Sequence, residues 1–307
     1  MTGQADYFGL DAYDQVDYQG SLSDYNFELQ PNGRVRVFKG DGGFDILDSI
    51  EGIWFIGEGE WYSIADAIAG AAPPANISAG DVDAFAFAGQ SNADGHFYNA
   101  DGNNALPIGK DVFEAQILAN SGFATTSINV AVGSSAASEN SGPPGENWWN
   151  LGSNQPGPLL NNAVNTINQS LSSGQDLDGI IWAQGEAEAF SVLYSNNAYA
   201  ATVEADFVSA TTSIFAHLRA NFGADLPIFI QEIGYYVAPD DATSSFNGFE
   251  VIRNAQLGII NADDNTYLAA QTAGLGQRDE VHFNTEAYGA IATSLANTAY
   301  AVIGSTP

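Results

Sequence analysis

The chain has 307 residues, enough for one large domain or one domain with a small companion. Seven lysines and arginines face 37 aspartates and glutamates, a formal net charge of −30, which disfavours nucleic acid and anionic membrane surfaces as partners. Cysteine is absent, which excludes disulfides, thiolate metal sites and a cysteine nucleophile. No apolar run reaches the roughly 18 residues of a membrane span, so membrane insertion is not expected.

So acidic a surface suits a salt-rich or calcium-rich medium, where self-repulsion is screened. An extracellular bacterial or marine setting is therefore expected, with an ordinary acidic soluble protein as the alternative. The opening stretch Met1 to Asp6 has neither a basic region nor an apolar core, so no ordinary signal peptide is expected in this chain.

Residues 1–70 read as a small β-rich module. Aromatic and β-branched residues alternate with polar ones at Val16-Asp17-Tyr18, Tyr25 to Leu29 and Arg34 to Phe38, with a turn signal at Pro31-Asn32-Gly33. Short antiparallel strands are the expectation. The stretch Phe44 to Phe55, after Gly40-Asp41-Gly42-Gly43, resembles the β-modules that flank calcium-binding glycine/aspartate repeats in secreted bacterial proteins. Asp41 and Asp45 are candidate ligands for a structural calcium, with solvated turn carboxylates as the competing reading.

Residues 71–79, which include Ala71-Ala72-Pro73-Pro74, read as a linker. Over residues 80–307 the pattern changes to alternating strands and helices. Strands are expected at Ala84–Ala88, Ser127–Val132, Gly179–Ala183, Pro227–Gln231 and Thr266–Ala270. Helices are expected at Asp111–Asn120, Leu159–Leu171, Ala198–Asn221, Gly248–Ile260 and Thr285–Ile303. This alternation argues a five-stranded parallel sheet in a three-layer α/β/α sandwich. The long loop Gly133–Pro158 carries Trp148 and Trp149, either a sugar-stacking platform or a lid packed on its own domain.

Three segments carry polar residues at strand ends. Gly89-Gln90-Ser91-Asn92 follows the run Ala84 to Ala88. In open α/β sheets ligands bind at the carboxyl ends of strands, so Ser91 is either a nucleophile or a turn serine satisfying local backbone groups. Gln184-Gly185-Glu186-Ala187-Glu188 follows Gly179 to Trp182, a second polar cluster or the acidic first turn of a helix. The third is Asp279-Glu280-Val281-His282. Serine needs a base, usually histidine, and the chain has three. His217 sits in an amphipathic helical stretch and His96 in a glycine/asparagine loop. His282 follows the last strand, and Asp279 can orient it across the three-residue spacing.

Together these blocks resemble the SGNH hydrolase superfamily, more narrowly its sialate O-acetylesterase-like and acetylxylan esterase branch, carbohydrate esterase family six. The resemblance covers about residues 80–303. It implies a flavodoxin-like sandwich and hydrolysis of acetyl esters on sugars, with no cofactor required. By match, Ser91 becomes nucleophile, His282 base and Asp279 its orienting acid. The Ser91 amide, Gly133 and the Gln184 side chain become oxyanion donors, and Glu186, Asn92 and Gln90 supporting residues. Glu188 stands where the family often has aspartate, and Ala93 where it has a bulkier residue, so substrate preference is the open part. The acidic surface favours a neutral polymer such as acetylated xylan, while Arg278 beside the triad offers a partner for a carboxylate. The alternatives are a general short-chain ester or lipid hydrolase on the same fold, or a non-catalytic carbohydrate-binding protein.

Overall fold

The computed structural model describes residues 5–8, 15–29, 35–38, 44–48, 50, 52–57, 59–63 and 67 of the first part of the chain. Of the second part it describes 84–99, 106–195, 198–236, 247–272 and 274–305. The expected linker at 71–79 lies outside these residues.

The first part forms seven short strands: β1 (Ala5–Phe8), β2 (Gln15–Tyr18), β3 (Asn26–Leu29), β4 (Val35–Phe38), β5 (Phe44–Asp48), β6 (Gly52–Phe55) and β7 (Glu60–Ser63). They make two sheets, ordered β1-β5-β4-β3 and β2-β6-β7. The hairpin signals predict antiparallel strands, but the pairing is mixed. β1 pairs parallel with β5, and β2 parallel with β6. The chain path β5–β6 repeats the path β1–β2 beside it, and the antiparallel β3–β4 hairpin occupies the interval between them. Tyr18, Tyr25, Phe55 and Tyr62 pack ring to ring within this part.

Asp41 lies outside the described residues. Asp45 is not a solvated turn carboxylate: it is buried on β5 and accepts a hydrogen bond from the Tyr18 hydroxyl at 2.9 Å. Among the described residues no group of three or more histidine or carboxylate side chains could hold a metal ion.

The second part is an α/β/α sandwich. Its elements are β8 (Ala84–Gly89), α1 (Ser91–Asp94), α2 (Gly109–Ser121), β9 (Thr126–Asn129), β10 (Ala136–Ser138), β11 (Asn147–Asn150), β12 (Gln155–Pro156), α3 (Pro158–Ser170), β13 (Gly179–Ala183), α4 (Glu186–Tyr194), α5 (Ala200–Phe222), β14 (Ile228–Gln231), α6 (Asn247–Ala262), β15 (Thr266–Ala270) and α7 (Thr285–Ser305). The main sheet runs β15-β14-β13-β8-β9, every pair parallel. Counted within this sheet the order is 2-1-3-4-5, the flavodoxin-like winding, and its direction of travel reverses between β8 and β13.

Strand β8 shows how sequence sets the layers. Side chains alternate across a strand. Phe85 and Phe87 join one core with Phe113 of α2 and with Tyr288, Ile291 and Leu295 of α7. Ala84, Ala86 and Ala88 face the other core, where Trp148, Trp182 and Phe215 supply the volume. Small residues on one face and aromatics on the other let two differently shaped helical layers cover one strand.

At its end β8 comes very close to its neighbour. Gly89 has φ 120°, and a Cβ there would sit 2.0 Å from the Ala183 carbonyl oxygen. The next residue, Gln90, donates its N–H to that same oxygen at 2.8 Å. The chain then turns at once into α1. Gly89→Ala is expected to combine positive-φ strain with a backbone clash and to cost at least about 3 kcal/mol, read as a drop in the denaturation midpoint or loss of folded protein.

Candidate active site

Ser91 opens α1 at the switch point of the sheet, over the ends of β8 and β13. Its Oγ lies 2.9 Å from His282 Nε2. His282 Nδ1 lies 2.9 Å from both Asp279 carboxylate oxygens. The three residues are thus brought together from opposite ends of the sandwich domain. The Asp279 carboxylate also accepts the backbone N–H of His282 at 2.8 Å and of Val281 at 3.1 Å. Partial burial acts to raise the Asp279 pKa, but these backbone bonds and the imidazole outweigh it, and the carboxyl ends below its ordinary value. The ionised form of Asp279 is therefore favoured beside the imidazole.

Gly133 is the second expected site residue beside Ser91: a Cβ at Gly133 would lie 4.0 Å from Ser91 Cβ. It belongs to a tight turn closed by the Ser135 N–H donating to the Val132 carbonyl at 3.3 Å. Ser134 in that turn has φ 62°, the left-handed region where non-glycine residues are uncommon. Such strain recurs at functional sites.

Gln184 is placed differently from the expectation. It is fully buried, and its amide nitrogen donates to Gln90 Oε1 at 2.9 Å, the Ser135 carbonyl at 3.0 Å and Glu188 Oε2 at 3.2 Å. Its two hydrogens face three acceptors inside the protein, which leaves none for an oxyanion. Gln184 instead braces the floor of the site.

The floor is polar and buried. Asn92, fully buried, donates to Glu186 Oε1 at 2.5 Å and to the Val281 carbonyl at 3.1 Å, and accepts from the Tyr288 hydroxyl at 2.8 Å. It therefore ties the Ser91 turn to the loop that carries His282. Gln90 Oε1 also accepts the Ala187 N–H at 3.3 Å, and Glu188 Oε1 accepts the Ala137 N–H at 2.6 Å. Burial raises the pKa of Glu186, against the bond from Asn92. Burial likewise pushes Glu188 up to about 7, and the neighbouring Glu186 charge adds to the effect.

Trp148 and Trp149 are not a platform. Both are buried on β11. The Trp148 indole N–H donates to Ser135 Oγ at 3.1 Å, and its ring meets Trp182 edge-on at 5.3 Å. The presumed loop folds into β10, β11 and β12, and the pair anchors it to the core. His96 is no loop residue either: it is fully buried, bonded to Gln231 at 2.9 Å, and burial pushes its pKa down to about 4. Arg278 flanks the dyad, its Nε 3.5 Å from Asp279 Oδ2. Leu275, Gln277, Arg278, Asp279, Glu280, Val281 and His282 line an open groove of about 900 Å³. Sequence reasoning missed Ser135 and Tyr288. Ser135 had a signal, since it follows Gly133 at a strand end; Tyr288, inside a long helical pattern, had none.

The sequence model of the family described as "Carbohydrate esterase, sialic acid-specific acetylesterase" matches residues 108–301, more than half the chain. The chain belongs to this family. The matched span holds Gly133, Gln184, Asp279 and His282 and begins beyond Ser91. This carbohydrate esterase is accordingly an ester-hydrolysing enzyme of the SGNH-like superfamily. Among solved structures it is similar to a protein from Arabidopsis thaliana, with 16% identity and a TM-score of 0.51 over 71% of this chain and 97% of that one. That likeness bears on the fold. A carbohydrate acetylesterase from Xanthomonas citri matches with 17% identity and a TM-score of 0.48, over 86% of this chain and 59% of that one.

Two tests follow from the esterase's floor. Asn92→Ala leaves Glu186, Tyr288 and the Val281 carbonyl short of a partner; it should cost about 2–3 kcal/mol in stability and lower kcat more than it raises KM. Glu188 holds a proton in the folded state that the unfolded chain, with an ordinary carboxyl value of 4.5, releases. Its contribution to stability is therefore lost as pH rises from about 4.5 to about 7, by on the order of 3 kcal/mol. Thermal melts across that window should show a shallower fall for Glu188→Gln than for the wild type.

Proposed function

We propose that this protein is a serine esterase that removes O-acetyl groups from carbohydrate through Ser91, His282 and Asp279. The observation that carries the reading is the 2.9 Å approach of His282 Nε2 to Ser91 Oγ, with Asp279 behind the ring. Ser91 Oγ attacks the acetyl carbonyl carbon while His282 Nε2 takes its proton. The negative oxygen of the tetrahedral intermediate is held by the backbone N–H groups of Ser91 and Gly133, neither of which has an acceptor among the described residues. The bond to the sugar oxygen then breaks, and His282 returns the proton to that oxygen. Water attacks the acetyl-Ser91 ester with His282 again as base, releasing acetate. Asp279 holds the imidazole tautomer and offsets its positive charge. No step calls for a metal or cofactor.

The net charge of −30 favours a neutral acceptor such as acetylated xylan over an anionic sugar. A second reading, a general short-chain ester hydrolase without sugar preference, is favoured by the openness of the groove along Leu275 to His282. Acetate release from acetylated xylo-oligosaccharides and from acetylated sialic acid, set beside p-nitrophenyl esters of increasing chain length, separates the two. Preference for acetylated sugar supports the first, equal or better cleavage of simple esters the second. Ser91→Ala should lower turnover by about 10⁴-fold or more, and Asp279→Asn by about 10⁴-fold; hydrolysis undiminished in Ser91→Ala would remove the site from the reaction.

A further inference from the structure

Four tyrosines are well exposed among the described residues: Tyr98, Tyr194, Tyr199 and Tyr235. Two of them carry an arginine over the ring. The Arg278 guanidinium lies 5.8 Å from the Tyr98 ring centre, and that of Arg253 4.0 Å from the Tyr235 ring centre. Both pairs touch the segment that carries the base, one through Arg278 itself and the other through the Tyr235 carbonyl. Arg278 directly precedes Asp279 and donates its backbone N–H to the His282 carbonyl at 2.9 Å. The residue before it, Gln277, donates from Nε2 to the Tyr235 carbonyl at 2.7 Å. Arg253 is fixed in turn by the Gly234 carbonyl, which it reaches at 2.9 Å. Successive residues of one groove wall thus lead to two different tyrosine–arginine pairs.

The distribution of cations makes this arrangement informative. Only four lysines and arginines lie beyond residue 70: Lys110, Arg219, Arg253 and Arg278. Lys110 pairs with Glu114 at 2.8 Å and Arg219 with Asp263 at 2.5 Å, both away from the groove. The other two are the ones laid on tyrosines, and Arg278 stands 3.5 Å from Asp279 Oδ2 as well. An aromatic ring offers a flat apolar face, and a guanidinium a rigid fork of donors with no acceptor. A pyranose presents the matching surfaces, C–H groups on one face and hydroxyls at the rim.

We propose that Tyr98 with Arg278 and Tyr235 with Arg253 are two sugar subsites that hold rings flanking the acetylated one, so that the substrate is a chain of neutral sugars rather than a free acetylated monosaccharide. The proposal deepens the esterase reading and rests on it. Hydroxyls accept from the guanidinium groups without bringing further negative charge into an acidic protein, which is why a neutral chain is favoured.

The test is the specificity constant on acetylated xylo-oligosaccharides from two to six rings, each divided by that on p-nitrophenyl acetate. In the wild type this ratio should rise with chain length. Tyr98→Ala and Tyr235→Ala should each lower it about threefold to tenfold for the longer oligomers, the range expected of one lost aromatic contact. Damage to the fold lowers both activities together and leaves the ratio unchanged, so an unchanged ratio in both variants counts against the subsites. A ratio independent of length in a wild type that still cleaves p-nitrophenyl acetate overturns the subsites alone. A wild type that cleaves neither substrate overturns the esterase reading and the subsites with it.

Discussion

The contact between Gly89 and the Ala183 carbonyl governs where Ser91 sits. Only a residue without a Cβ can stand there, and that contact joins β8 to β13 at the point where the winding of the sheet reverses. Gln90 bonds to the same carbonyl, so the turn that follows has no slack. Ser91 is then presented above the sheet by backbone geometry, before any side chain of the site has acted. The neighbouring turn at Gly133 and Ser134 is anchored to this corner as well, because the Val132 N–H donates to the Gly89 carbonyl at 3.0 Å.

Beneath that corner lies a cluster of buried polar groups: Gln90, Asn92, Gln184, Glu186 and Glu188. Burying so many such groups is costly unless they satisfy one another. Here most do, through bonds that cross between α1, α4, the turn at Ser135 and the loop at Val281. The hydrophobic layers on both sides of the sheet exclude water and give these bonds their strength. Packing and polar positioning are therefore coupled: the alanine face of β8 admits Trp148 and Trp182, and Trp148 reaches Ser135, which accepts its indole N–H and itself lies 3.3 Å from Gln184 Oε1.

The sandwich was legible in the sequence because its signals are local. Each strand is a short apolar run, each long helix a periodic stretch, and the five sheet strands fall where those patterns predict, to within a residue or three. The meeting of Ser91 with His282 was legible too, since each stands just past a strand end and parallel strands deliver their ends to one edge. What local patterns did not decide was burial and hydrogen-bond partnership. For Trp148 and Trp149 the sequence left a surface platform and a segment packed on its own domain both open, and the turns around them fold the segment into β10 to β12 with both rings buried. Gln184 looked free to donate because sequence does not reveal that Gln90, Ser135 and Glu188 take up its hydrogens. The parallel pairing of β1 with β5 and β2 with β6 joins stretches about forty residues apart, and no short-range pattern encodes it.

Asp279 and His282 lie within four residues from end to end. Asp279 grips the His282 ring, the His282 amide and the Val281 amide at once, so orientation of the imidazole is settled inside one short loop. Ser91 meets the ring only at its far nitrogen, Nε2, at 2.9 Å. Should this loop swing outward, the pair would travel as a preassembled piece, and the line of hydrogen bonds from Asp279 to Ser91 would part at a single joint, the one between imidazole and alcohol. Reassembly then requires one distance to be recovered, with Asn92 as the latch on the Val281 carbonyl that sets it.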